Sequence, residues 1–275
     1  MNTLVSVIIP NKNCLIYLPT ALDSIWAQDI TSIEVVFIDD GSTDASWQWI
    51  CDQTKAHENI VAVKLDGVGC STARNHAARI ANGKYLAFLD ADDYWYKDKL
   101  SEQLALLEEN PSVGLCFTNY DHVTEDKKVV IDCFSYWPKF DSLINTDDHN
   151  SYIIADAAAT VFAENVIGTS TVVVRRDLYL SVDGFDHNIK SASDWDLWMK
   201  LALKTQIGCI KTPLTAYLMR ADSMTGNRVA RLKAMESIIN RYEDQVTPHA
   251  VNAAYARLDE GYGEYHRENG RVIFQ

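Results

Sequence analysis

An α/β fold, with a mostly parallel central sheet and helices on both faces, is predicted by three observations. Short apolar runs without polar alternation recur through the first half of the chain: Leu4 to Ile9, Ile33 to Ile38, Ile60 to Leu65 and Tyr85 to Leu89. Strands of this kind are buried on both faces, the condition of a parallel sheet. Between them lie stretches of helical spacing, which return each strand to the same edge. The polar clusters Pro10 to Asn13, Asp39-Asp40 and Asp90 to Asp93 directly follow apolar runs, at the carboxyl edge where such sheets bind ligands.

Each element has its own signal. Leu4 to Ile9 is the first strand, and Leu15 to Gln28 is helical through Leu18, Leu22, Ile25 and Trp26. The second strand, Ile33 to Ile38, closes in DDGSTD, where Ser42 or Thr43 can cap a helix that buries Trp47 and Ile50. Ile60 to Leu65 leads through a glycine loop to the helix Ser71 to Ala81, which Gly83 ends before the fourth strand. In the second half Leu115 to Asn119 and Ser170 to Arg175 read as strands, and Asp132 to Asn165, which lacks periodicity, reads as a variable insertion near the site. Asp194 to Leu203 is helical. Arg228 to Gln245 carries an apolar stripe through Val229, Leu232, Met235, Ile238, Ile239 and Tyr242, and a last helix spans about His249 to Glu268. The expected division is a main domain over residues 1–226, split into a ligand-binding half (1–119) and an acceptor-binding half (120–226), with a helical extension over 227–275. Whether the stripe meets a second copy, as a homodimer contact, or packs on its own domain is open from sequence.

The 275 residues can bury a sizeable core. A net charge of −13 excludes nucleic acid as the expected partner, because that binding relies on Lys and Arg at phosphates. No apolar run is long enough to span a membrane, and the start reads as a strand rather than a secretory signal. The six cysteines are scattered without a C-x-x-C pair, as expected of a reducing cytoplasm, and the seven histidines form no metal-binding spacing. Gly67 to Thr72 nearly matches a dinucleotide fingerprint, but its third glycine is Thr72 and it follows the third strand, so that reading fails.

The stretch YLAFLDADDYW packs Asp90, Asp92 and Asp93 into four positions. Clustered carboxylates at a strand end offer hard oxygen ligands to Mg2+ or Mn2+, ions commonly shared with substrate phosphates. The plainer reading is an acidic turn in which Asp92 or Asp93 caps a helix near Lys97.

Four segments in order, VSVIIPNKN, VVFIDDGSTD, STARNHAARIANGKYLAFLDADDYW and GFDHNIKSASDWDLWMKL, resemble the family-2 glycosyltransferases of GT-A fold over about residues 4 to 220. That resemblance implies a nucleotide-diphosphate sugar donor (a UDP-sugar foremost), a divalent metal (Mn2+ or Mg2+), a carboxylate base and inversion at the anomeric carbon. By position it implies that Pro10, Asn11 and Asn13 pack on the nucleoside, that Asp40 with Asp39 reads the base edge, and that Arg74 contacts diphosphate or base. It further implies that Asp92 or Asp93 holds the metal while the other acids, Asp90 among them, contact ribose or order the loop. Asp194 takes the place of the general base. Apart from the resemblance, Trp195 and Trp198 could stack on sugar, one of them belonging to the core at this spacing, and Trp195 is taken as the acceptor contact. Asp39-Asp40, Arg74 and Asp194 also have ordinary readings, as helix caps and a surface arginine.

Two positions depart from the family pattern. Ser193 stands where an acidic residue usually precedes the base, and Arg220 stands near a usual histidine, where it would clamp phosphate as a fixed cation. The implied setting is bacterial surface-polysaccharide assembly on a glycan or lipid-linked acceptor, in the cytoplasm or peripherally at the inner membrane face. Two rivals remain at this stage: a non-catalytic domain that binds sugar nucleotide, which the change at Ser193 keeps open, and a sugar nucleotidyltransferase, for which PNKNC lacks the glycine- and arginine-rich loop.

Overall fold

The computed structural model describes residues 3–144, 149–220 and 228–268. β1 (Val5–Asn11), α1 (Leu18–Trp26), β2 (Ile33–Asp40), α2 (Ser46–Ala56), β3 (Ile60–Leu65), α3 (Cys70–Ile80) and β4 (Tyr85–Phe88) alternate strictly. β5 (Tyr94–Trp95), α4 (Lys99–Glu109), β6 (Val113–Val123) and β7 (Val129–Asp132) follow. Next come α5 (Cys133–Tyr136), α6 (Pro138–Ile144), β8 (Ser151–Ile154), α7 (Ala157–Ala163), β9 (Val173–Arg175) and α8 (Arg176–Ser181). After these lie α9 (Ser193–Ala202), β10 (Gln206–Leu218), α10 (Arg228–Tyr242) and α11 (Pro248–Glu268).

The sheet runs β3-β2-β1-β4-β9-β6-β10-β5, with β7 beside β6 and β8 beside β10. β3, β2, β1 and β4 are mutually parallel, as are β6 and β10, while β9 runs antiparallel between β4 and β6. β1, β2 and β4 are buried along their whole length, as their unbroken apolar runs require. Strand alternation divides them between two cores. Ile8, Val36, Ile38, Leu86 and Phe88 face α3 through Ala73 and Ala77. Val7, Ile9, Val35, Phe37 and Ala87 face α1 through Leu18, Leu22 and Ile25.

One boundary expected in the second half needs revision. The strand expected from Ser170 begins at Val173, after a tight 3-10 turn over Thr169–Thr171. The region from Asp132 to Asn165, read as a variable insertion, sends Phe134, Phe140, Ile154, Val161 and Phe162 into the main core. Its helices of four to seven residues, α5, α6 and α7, complete too few turns to show a 3.6-residue period. The stripe on α10 packs inward: Leu232, Ile238, Ile239 and Tyr242 join Ala250, Ala254 and Leu258 of α11 in the core that holds α9. The boundary placed at residue 226 lies outside the described residues. Among the described residues, no helix is long and apolar enough to cross a membrane.

Candidate active site

The carboxyl ends of β1, β2 and β4 lie side by side, in the registers Asn11 with Asp39 and Ile8 with both Val36 and Phe88. The expected clusters therefore meet at one edge. Asn11 Nδ2 donates to Asp39 Oδ1 (2.9 Å), whose other oxygen accepts from the Ser42 amide (3.2 Å). Asn13 holds a positive φ of 56°, and its Oδ1 accepts from the amides of Thr43 (2.7 Å) and Asp44 (3.3 Å), so the loops after β1 and β2 are tied together. Pro10 is buried within β1. Asp40 accepts from the amides of Val68 (2.7 Å) and Gly69 (2.8 Å), anchoring the glycine loop that opens α3. Neither Asp39 nor Asp40 caps α2, whose N-cap is Ala45.

After β4 the three acids separate. Asp93 turns inward and is 3% exposed; its Oδ2 accepts from Ser170 Oγ (2.5 Å) and its Oδ1 from the Leu218 amide (3.0 Å). Burial, with the charges of Asp92 and Asp90, holds its carboxyl well above the usual range. Asp90 is partly exposed and forms an ion pair with Arg74, while its amide donates to Ser170 Oγ (3.0 Å). Arg74 is buried rather than a surface arginine. Desolvation works against its charge, but Asp90 and Cys70 outweigh it and raise its pKa. Asp92 is partly exposed and lies 2.9 Å from Arg220 Nη1; the Arg220 guanidinium also sits 4.9 Å from the Tyr17 ring centre. Burial and the neighbouring Asp90 raise the Asp92 carboxyl, against the pull of Arg220. α4 starts behind Asp98, which adopts a left-handed turn, so neither Asp92 nor Asp93 caps it.

Asp194 approaches the same place from the other side. It lies in the first turn of α9, whose amino end meets that of α3 through Ser71 Oγ donating to Ser193 Oγ (3.1 Å). Two helix amino ends thus border the site, a favourable setting for phosphate oxygens. The N-cap of α9 is Ala192, with φ 55°, which leaves the Asp194 side chain only partly committed, to the Trp195 amide at 2.8 Å. Burial raises its carboxyl above the ordinary value, and the Trp195 amide, Arg231 and Arg74 only partly offset this. A carboxylate held up in this way is a better proton acceptor than a solvated one. The expectation for Trp195 is corrected. It is 1% exposed, its indole N–H donates to Val161 O (2.7 Å), and its ring faces the core, so it has no face to offer a sugar.

Sequence reasoning missed Ser170, which bonds Asp90 and Asp93 across 80 and 77 residues, because a serine in an irregular segment carries no local signal. Among the described residues, no group of three or more His, Cys, Asp or Glu forms a ready metal cage. The half-exposed Asp92 nevertheless suits a divalent ion of the kind held by one or two carboxylates together with substrate phosphates.

A family model described as glycosyl transferase family 2 matches residues 6–164. Escherichia coli WfaP, a UDP-Glc:alpha-D-GlcNAc-diphosphoundecaprenol beta-1,3-glucosyltransferase, is 30% identical over 239 residues, which cover 86% of this chain and 85% of WfaP. An uncharacterized glycosyltransferase of Rickettsia felis is 32% identical over 92% of this chain, yet the match spans only 38% of that longer protein. Among solved structures, S. aureus TarS 1-349 in complex with UDP-GlcNAc superposes with a TM-score of 0.74 at 21% identity, over 99% of this chain and 77% of TarS 1-349. The mannosyltransferase PcManGT of Pyrobaculum calidifontis, in complex with GDP-Man and Mn2+, gives 0.65 at 18% identity, over 98% of this chain and 81% of PcManGT.

Proposed function

Because this chain belongs to glycosyl transferase family 2, and is therefore a glycosyltransferase with the GT-A fold, we propose that it moves a sugar from a UDP-sugar to a hydroxyl of a lipid-linked glycan. The setting is assembly of a bacterial surface polysaccharide, peripherally at the inner face of the membrane. Support for the donor and acceptor comes from the activity for which WfaP is named and from the UDP-GlcNAc bound in TarS.

One observation carries the mechanism: a half-buried carboxylate of raised pKa, Asp194, stands close enough to the Arg74–Asp90 pair to feel both charges. The acceptor hydroxyl gives its proton to Asp194 as its oxygen bonds the anomeric carbon, and the bond from that carbon to the diphosphate oxygen breaks on the opposite face. Attack from the face opposite the departing diphosphate inverts the anomeric centre. Arg74 and Arg220, with the amino ends of α3 and α9, bear the charge that builds on the departing diphosphate. Asp92 would hold Mn2+ or Mg2+, which when bound neutralises the diphosphate and improves it as a leaving group. Asp93 and Ser170 keep the loop in shape. Asn11 and Asn13, which follow Pro10, shape the nucleoside cradle with Asp39 and Asp40, with Asp40 acting through the 67–69 loop.

Asp194→Asn tests this reading. UDP released from UDP-glucose or UDP-N-acetylglucosamine, with N-acetylglucosamine-diphosphoundecaprenol as acceptor, should fall by about 100-fold or more. UDP affinity should stay within about two-fold. A variant that kept most of its turnover would refute the base role.

A further inference from the structure

The rear of the base-bearing helix holds a charge cluster that the reaction scheme does not use. Asp196, two residues beyond Asp194, is 0% exposed. Its Oδ1 accepts from Arg241 Nη1 (2.7 Å) and from the Tyr242 hydroxyl (2.8 Å), both on α10, and Lys200 Nζ lies 2.9 Å from its Oδ2. The same Arg241 Nη1 donates to Asp186 Oδ2 (3.1 Å), and Lys200 Nζ donates to Gly184 O (3.2 Å). Both therefore grip the turn Gly184-Phe185-Asp186 as well as α9.

That turn reaches the donor side. Asn75 of α3 brackets Phe185, donating to its carbonyl (2.8 Å) and accepting from its amide (2.9 Å). The Phe185 ring lies 5.1 Å from the guanidinium carbon of Arg74, which pairs with Asp90. A continuous path of bonded groups thus runs from Arg241 to Asp196 on the helix of the base, and from Arg241 through Asp186, Phe185 and Asn75 to the arginine beside the acidic loop.

We propose that Arg241 and Tyr242 of the C-terminal helices are positioning residues, which set α9 against α3 and so fix where Asp194 stands relative to Arg74 and Asp90. This rests on Asp194 being the base. A buried ion cluster is weak evidence for stability, because desolvation offsets the Coulomb attraction, so geometry is its more natural product. Small displacements of a base are costly: a shift of about 1 Å can cost about 100-fold in rate.

The test uses the whole chain, the UDP-release assay above and a temperature at which circular dichroism shows complete folding. Arg241→Ala should lower kcat about 10- to 100-fold, with donor KM and UDP affinity within about two-fold of the parent. Arg241→Lys should recover most of the loss. In an Asp194→Asn background, Arg241→Ala should cost nothing further, because the group it positions is gone. Tyr242→Phe, which opens no cavity, should lower kcat in the same direction by a smaller factor and decides the matter should Arg241→Ala fail to fold. A folded Arg241→Ala or Tyr242→Phe with kcat within about two-fold of the parent would overturn the proposal. So would an equal loss in the Asp194→Asn background, or UDP affinity falling in step with kcat. High turnover in Asp194→Asn alone would instead overturn the base assignment, and this inference with it.

Discussion

Replacing Lys99 by Met should flatten the pH dependence of folding stability. Lys99 is 0% exposed in the first turn of α4. Its Nζ donates to Gln103 Oε1 (2.6 Å) and sits 4.3 Å from the Trp95 ring centre, beneath the acidic loop. Among the described residues it has no carboxylate within ion-pair reach, and burial pushes its pKa from 10.5 down to about 7. The sign follows from proton counts. Between about 7 and 10.5 the unfolded chain binds this proton more often than the folded one, so stability rises with pH across that window. The cost of burying the ammonium is fully present below about 7 and gone above 10.5. At about 1.4 kcal/mol per pKa unit its ceiling is about 5 kcal/mol, and integration between about pH 7 and about pH 9 leaves about 2 kcal/mol of stability gained. Methionine removes that slope. Its effect at neutral pH is smaller, because relief of the charge is offset by about 1–3 kcal/mol for an unpaired Gln103 oxygen and about 2 kcal/mol for the lost ring contact. Urea unfolding followed by tryptophan fluorescence at about pH 7, about pH 8 and about pH 9, in parent and variant, isolates the contribution of Lys99, since other groups titrate alike in both. Slopes agreeing within about 0.5 kcal/mol would mean that the ammonium titrates as in water, and the burial reasoning would fail.

Gly184→Ala should lower stability by about 3 kcal/mol or more, read as a fall in Tm of several degrees by calorimetry. The position has φ +63°, and a Cβ there would overlap Asn75 Oδ1 and come within 2.6 Å of the Tyr179 hydroxyl. Asp92→Ala should weaken UDP binding in the presence of Mn2+ by about tenfold or more while leaving metal-free binding nearly unchanged; calorimetric titration with and without the metal checks this, and equal metal dependence in parent and variant would count against Asp92 as the ligand.

Much of the site could be read locally. The apolar runs of β1, β2 and β4 end in Asn11, Asp39-Asp40 and Asp90 to Asp93, and a parallel sheet carries all such ends to one edge. The segments that hold Asp194 and Arg74 marked both as candidates. The division of labour among neighbours was not. Asp92 faces a cation and Asp93 faces the core, although the two are consecutive, because Ser170 and the Leu218 amide arrive from elsewhere in the chain. Trp195 looked available and is buried, since α7 covers it with the Val161 carbonyl. Asp196 reads as one more acid in a charged helix until α10 brings Arg241 and Tyr242 to it across 45 and 46 residues.

Which residues alternate, which faces are apolar and which polar groups end each strand can be read along the chain, because these follow from a backbone period of a few residues. Which partner each charge meets cannot, since that depends on the path of segments tens of residues apart, and a one-dimensional pattern does not record it.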